Sequence, residues 1–149
     1  VKPGVGISVM SKILNPKSEA PNKHQILNSK PYDLEERSLS FGKRVVRLCK
    51  TLPKNTVNRR LSDQLIRSGT SVGANYREAN ETDTKRDFKN RIRITKKEAK
   101  ETIYWLELVI EANSTCRERI LPLLEEAREL MKIFGSIYES TKRPKQRKV

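Results

Sequence analysis

The sequence predicts an all-α protein, an antiparallel up-down four-helix bundle. Three observations point to the bundle. Four segments of the 149-residue chain carry apolar residues at alternating spacings of three and four, the period of an amphipathic helix. The links between them are short, and short links join antiparallel neighbours. No segment alternates with the period of a strand, and no repeat of fixed length is present. Aromatic residues make up 5% of the chain and charged residues 34%. That is lean, yet it suffices for a bundle core built mostly from Leu, Ile and Val.

The first helix is expected from about Asp33, with Asp33 as N-cap. Glu35 and Glu36 then fall in the first turn, where the helix dipole favours negative charge. Leu34, Ser38, Phe41, Val45, Leu48 and Leu52 form its apolar seam. Pro53 ends it, because proline disfavours helix in the residue before it.

The second helix is expected over 57–79, with Val57, Leu61, Leu65, Ser68, Val72 and Ala79 on one face. Its centre, Ser68-Gly-Thr-Ser-Val-Gly-Ala74, is unusual. Each helical glycine costs about 1 kcal/mol relative to alanine. Small side chains here would let a neighbouring helix come close. The other reading is a phosphate-cradling loop, but that motif needs a following Lys and a preceding strand, and both are missing.

The third helix, 85–112, is capped by Thr82 or Asp83 and carries three kinds of surface. Phe88, Ile92, Thr95, Ala99, Thr102, Leu106 and Val109 make a seam. Lys85, Arg86, Lys89, Arg93, Lys96, Lys97 and Lys100 cluster on a different side. Ile94, Trp105 and Leu108 lie off the seam again. The fourth helix runs from Cys116 or Arg117 to Ser140, with Pro122 tolerated in its first turns. Its face is Ile120, Leu123, Leu124, Ala127, Leu130, Met131, Phe134, Ile137 and Tyr138.

The bundle thus spans 32–140. Residues 1–31 read as a flexible basic arm and 141–149 as a disordered basic tail. The chain begins with Val1, and Met10 is a candidate translation start.

Net charge is +14. It is unevenly spread: +4 in residues 1–32, +5 in 141–149, and +5 in all of 33–140. Such a balance attracts polyanions, nucleic acid above all. Between Lys85 and Lys100 stand eight basic residues against Asp87 and Glu98. Like charges four apart weaken a helix slightly, so this run is easier to understand with an anionic partner.

Catalytic chemistry is not expected. The one histidine, His24, lies in the N-terminal arm. The bundle offers no nucleophile–base pair and no paired-carboxylate motif, so neither a catalytic residue nor a cofactor is predicted. Cys49 and Cys116 stand alone, without the ligand spacing of a zinc site. Two isolated cysteines, no signal peptide and no apolar run of about 18 residues predict a cytoplasmic protein away from membranes.

Three stretches together carry a resemblance: Gln64-Leu-Ile-Arg-Ser-Gly-Thr-Ser-Val-Gly-Ala-Asn-Tyr-Arg-Glu-Ala79, Asp87-Phe-Lys through Ile94, and Lys97-Glu-Ala-Lys-Glu-Thr-Ile-Tyr-Trp-Leu-Glu-Leu108. In this order and spacing they resemble the bacterial four-helix-bundle proteins encoded in 23S rRNA intervening sequences. The accessory variability protein of diversity-generating retroelements is similar. The resemblance covers about residues 32–140. Where many relatives have Ile-Pro-Ala-Asn-Ile-Ala-Glu-Gly, this chain has Val72-Gly-Ala-Asn-Tyr-Arg-Glu-Ala79. The departure bears on the local bend of the second helix rather than on the fold.

The resemblance implies a homopentameric ring without enzyme activity. Through the retroelement relative it also implies a basic accessory subunit that binds nucleic acid and partners a reverse transcriptase. A ring gives Ile94, Tyr104, Trp105 and Leu108 a place at the contact between subunits, where Trp and Tyr are favoured. The seven cations have three readings: a solvated face, a surface paired with acids of a neighbouring subunit, or a phosphate-binding face. The reading adopted is a noncatalytic oligomeric accessory protein that binds RNA or DNA with little sequence specificity. The alternative is a scaffold that recruits an acidic protein.

Overall fold

Four stretches of helical periodicity become four helices in the computed structural model, which describes residues 31–144. They are α1 (Pro31–Thr51), α2 (Thr56–Asn80), α3 (Lys85–Ala112) and α4 (Arg117–Lys142), with a short 3-10 turn, Ser114–Cys116, ahead of α4. No strand occurs among the described residues. The expected N-terminal arm up to residue 30, with Met10 and His24, lies outside them, as does the tail from residue 145.

Helix bounds follow local chemistry. Helix α1 starts at Pro31, two residues before the expected start, so Asp33 sits inside the helix and not at its cap. Asn55 caps α2, its side chain accepting the Asn58 backbone N–H at 2.8 Å. Thr84 caps α3, not Thr82 or Asp83. It accepts the Asp87 N–H at 3.1 Å and gives its hydroxyl proton to the Asp87 carboxylate at 2.6 Å. Thr82 is otherwise engaged: its hydroxyl donates to the Ala79 carbonyl at 2.7 Å and closes α2. Helix α4 continues through Thr141 and Lys142, past the expected end at Ser140. The Thr141 hydroxyl donates to the Tyr138 carbonyl, and Lys142 reaches back to Glu139.

The core is the set of seams. Phe41 and Val45 of α1, Leu65 and Val72 of α2, Ile92 and Leu106 of α3, and Leu130 and Phe134 of α4 are all buried. Burying each such side chain stabilises by roughly 1.5–3 kcal/mol. The Tyr76 ring meets the Phe134 ring at 5.2 Å between centroids. On α2 the seam differs from its expected start. Val57 is 58% exposed, and Asn58 is buried in its place. Asn58 is held inward by its hydrogen bonds to the Pro53 carbonyl and to Asn113. From there Asn58, Leu61, Leu65, Ser68, Val72, Tyr76 and Ala79 keep the three-and-four spacing.

The small-residue centre of α2 is continuous helix, so it is not a phosphate loop. It serves close approach. A Cβ placed on Gly69 would lie 2.9 and 3.0 Å from the two γ-carbons of Val45. One on Gly73 would lie 3.3 Å from the Ser38 hydroxyl. On the other side of α2, buried Ser68 and Thr102 hydroxyl oxygens meet at 3.0 Å. At the end of the bundle the carboxamides of Asn58 and Asn113 donate to each other, both at 2.8 Å. Side-chain links also join α1 to α4, where Arg37 forks onto Glu126 at 2.7 and 3.0 Å. Glu107 and Arg128, 3.5 Å apart, link α3 to α4.

The two cysteines are free. Burial pushes the Cys49 thiol up, with a smaller opposing effect from a hydrogen bond to Ser62. A raised thiol is a poor nucleophile.

Candidate nucleic-acid interface

The first half of α3 concentrates positive charge where a helix least favours it. Lys85 and Arg86 open the helix at the positive end of its dipole, relieved only by Asp87. Lys85, Lys89 and Arg93 then follow at intervals of four, as do Lys96 and Lys100. All seven sequence-predicted cations are solvent-accessible. Lys89 and Lys96 are half-buried, and Lys85, Arg86, Arg93, Lys97 and Lys100 are exposed.

Six other described cations are paired, whereas Lys43, Arg44, Arg47, Lys50, Lys54, Arg59, Arg60, Arg77, Arg117, Arg119 and Arg143 form no ion pair with a described acid. Arg37, Arg67, Arg91, Arg128, Lys132 and Lys142 each lie within 4.0 Å of a carboxylate. Arg91 belongs to the same basic run as the seven, but it turns toward α2. There it pairs with Glu78 at 2.7 Å and donates to Asn75 at 3.2 Å. None of the seven forms such a pair with a described acid. Arg93 donates to the neutral Asn90 side chain at 3.1 Å.

Helix packing extends this surface onto α4. The ammonium groups of Lys89 and Lys96 each lie 5.9 Å from the centroid of the Tyr138 ring, and that of Lys142 lies 4.6 Å from it. A Cβ on Gly135 would be 3.7 Å from Lys96 Cε, so the missing side chain leaves room for the lysine to lie across α4. One acid stands here, Glu139. Its hydrogen bond to Lys142, at 2.9 Å, holds its carboxyl below the usual carboxylate range, and Lys142, Lys96 and Arg143 add to that by charge. The same hydrogen bond raises the Lys142 ammonium.

Sequence reasoning missed two members of this site. Tyr138 was assigned to the core face, and Lys142 to a tail beyond the helix. Tyr138 is half-buried: it packs partly on the core and keeps part of its ring in the solvent. The three- and four-residue steps linking Tyr138, Lys142 and Gly135 were visible in the sequence. Their register against α3 was not.

The other sequence-predicted group, Ile94, Tyr104, Trp105 and Leu108, lies elsewhere on α3. Tyr104 is 55% exposed and meets the Trp105 ring edge-on at 5.0 Å. Trp105 is half-buried and packs partly on the core, so it is less spare than its place off the seam implied. Its indole N–H donates to Glu101 at 3.2 Å. Ile94 and Leu108 are half-buried.

Arg67 bridges Glu101 and Glu98, with 3.6 Å to the latter. One Glu98 oxygen is buried without a hydrogen bond. Burial pushes the Glu98 carboxyl up, and Glu101 adds to it, while Arg67 and Lys97 oppose. A carboxyl raised in the folded state contributes stability below its unfolded value and loses it as pH rises. We therefore expect Glu98→Gln to gain stability relative to the native chain as pH climbs from below the ordinary value of 4.5 to neutrality. Urea denaturation at pH 4 and pH 7 measures this, and a gap that does not change with pH contradicts it.

No helix among the described residues is long and apolar enough to cross a membrane. No curated protein matches the chain. A crystal structure of a protein of unknown function from the S23 ribosomal protein family of Bacteroides thetaiotaomicron is similar, with a TM-score of 0.62 and 40% identity. The alignment covers 70% of this chain and 97% of that one. Residues 30–136 match the family model described as 23S rRNA-intervening sequence protein. That span takes in α1, α2, α3 and most of α4, including the small-residue centre of α2 and the whole cationic half of α3. The chain belongs to the 23S rRNA-intervening sequence protein family.

Proposed function

We propose that this chain is a noncatalytic nucleic-acid-binding protein that acts as an oligomer in the cytoplasm. One observation carries the reading. Seven cations crowd one half of α3, between Lys85 and Lys100, and none of them forms an ion pair with a described acid. Glu98 and Glu139 offset only part of their mutual repulsion, through Lys97 and Lys96, and phosphates would relieve the rest. Such binding is dominated by counterion release and reads little sequence.

The bundle itself we read as antiparallel and up-down. Ser38 faces Gly73 and Val45 faces Gly69, so contacts run in opposite senses along α1 and α2. Asn58 with Asn113 and Glu78 with Arg91 do the same for α2 and α3. Lys89 with Tyr138 and Glu107 with Arg128 do so for α3 and α4. Oligomerisation through Tyr104, Trp105, Ile94 and Leu108 is supported by the exposure of Tyr104, whose ring meets the half-buried Trp105. A pentameric ring and a reverse-transcriptase partner are the narrower forms of this proposal.

Charge reversal tests it. Lys89→Glu, Arg93→Glu and Lys96→Glu together should abolish RNA binding at moderate salt while leaving helicity unchanged. Native binding should weaken steeply with salt. Neutralising the same three cations with Gln should reduce the slope of log affinity against log salt by about 3. Fluorescence anisotropy with a labelled RNA reads both effects. Unchanged binding in the charge-reversed chain overturns the assignment of this face, and sedimentation of a monomer overturns the oligomer.

A further inference from the structure

We propose that Tyr138 is a stacking platform for an unpaired base, and that Lys89, Lys96 and Lys142 hold the phosphates on either side of it. The inference rests on the nucleic-acid reading above and narrows it to single-stranded nucleic acid.

The ring is singled out by its surroundings. Among the described aromatic side chains, Phe41, Phe134 and Tyr76 are buried in the core. Phe88 packs against the core, and Tyr104 and Trp105 contact each other on another part of α3. Tyr138 alone among them is ringed by ammonium groups, drawn from two helices and held 4.6 to 5.9 Å from its centroid. Its packing on the core fixes the ring, and its half-exposure leaves part of it open.

Three ammonium groups around one ring repel one another. An ammonium–ring contact at an exposed site is worth only about 0.5–1 kcal/mol. The contacts are therefore weak enough to exchange, and each lysine has a flexible stem. When a strand arrives, the ammonium groups can move from the ring to phosphates, and a base can take the face they leave. Glu139 anchors Lys142 beside the ring through their hydrogen bond. A duplex presents phosphates but buries its base faces in the stack, so an aromatic side chain gains nothing from it. An aromatic platform inside a cationic groove is the arrangement that binds single strands with little regard to sequence.

The test compares two probes, an oligouridine and a blunt RNA duplex of the same length, on the full chain. Tyr138→Leu, which keeps apolar packing on the core, should weaken oligouridine binding on the order of tenfold and leave duplex binding unchanged. Tyr138→Phe should bind both probes as the native chain does. Equal loss on both probes with Tyr138→Leu would mean that the ring only gathers lysines, and would overturn the proposal. Undiminished oligouridine binding would overturn it too. If the native chain binds neither probe, the nucleic-acid reading itself fails. Photocrosslinking gives a measurement that does not depend on the variant folding. An oligonucleotide carrying 5-iodouridine should attach to the native chain at the peptide containing Tyr138. Attachment solely at other peptides overturns the platform.

Discussion

Asn58→Ala lowers the unfolding free energy by about 3 kcal/mol, read by urea denaturation. Asn58 and Asn113 are 3% and 6% exposed, so water does not replace what the substitution removes. The Asn58 carboxamide donates to the Pro53 carbonyl at 2.9 Å and to Asn113 Oδ1 at 2.8 Å. Asn113 in turn donates to Asn58 Oδ1 and to the Val109 carbonyl, both at 2.8 Å. One amide pair thus ties the α1–α2 link to the last turn of α3. Truncating Asn58 leaves the Asn113 acceptor and the Pro53 carbonyl unsatisfied and opens a small cavity. Removing both partners is a different case, since neither amide is then left facing an empty partner position, and only the Pro53 and Val109 carbonyls lose a side-chain donor. Asn58→Leu with Asn113→Leu should cost clearly less than the sum of the two single changes. Additive losses would show that the amides act independently.

Gly69→Ala destabilises by about 2 kcal/mol, although alanine is the better helix former. The new methyl would sit 2.9 to 3.3 Å from three carbons of Val45. Valine is stiff in a helix and cannot turn its branches away. Helices α1 and α2 must therefore separate slightly, and the loss exceeds the roughly 1 kcal/mol gained in propensity. Two controls isolate the cause. Val45→Ala in the same chain should recover part of the loss, because it empties the space the methyl needs. Gly42→Ala should stabilise by up to about 1 kcal/mol, because a Cβ there meets nothing closer than 3.9 Å. Thermal melting orders all four chains, and a stabilised Gly69→Ala chain would contradict the close approach.

Much of the fold was legible because helices are local. The spacing of Phe88, Ile92, Thr95, Ala99, Thr102, Leu106 and Val109 needs only the helical period to define a face. The bounds of α3 could be read to the residue, and those of α2 and α4 to within one or two. Caps were less legible. Thr82, Asp83 and Thr84 are equally able acceptors as letters, and the choice went to Thr84 because Thr82 closes the preceding helix. Val57 failed because a seam through Leu61 can reach back either three or four residues, and Asn58, paired with the Pro53 carbonyl and Asn113, takes the inward position.

The sequence by itself determined four amphipathic helices, a tight small-residue contact on α2 and an excess of cations on α3. Each is a property of residues within a few turns of one another. Tertiary structure decided which of those features meet. Asn58 and Asn113 are 55 residues apart, and nothing near either one reveals the pair. Tyr138 was one aromatic on an apolar face until the packing of α3 on α4 set Lys89 and Lys96 beside it. Arg91 and Arg93 are two residues apart in one basic run, yet one pairs with Glu78 and the other does not pair with a described acid. The physical reason is common to all three. Rotation and register of a helix about its axis are set by the side chains of its neighbours, and periodicity within one helix carries no information about them.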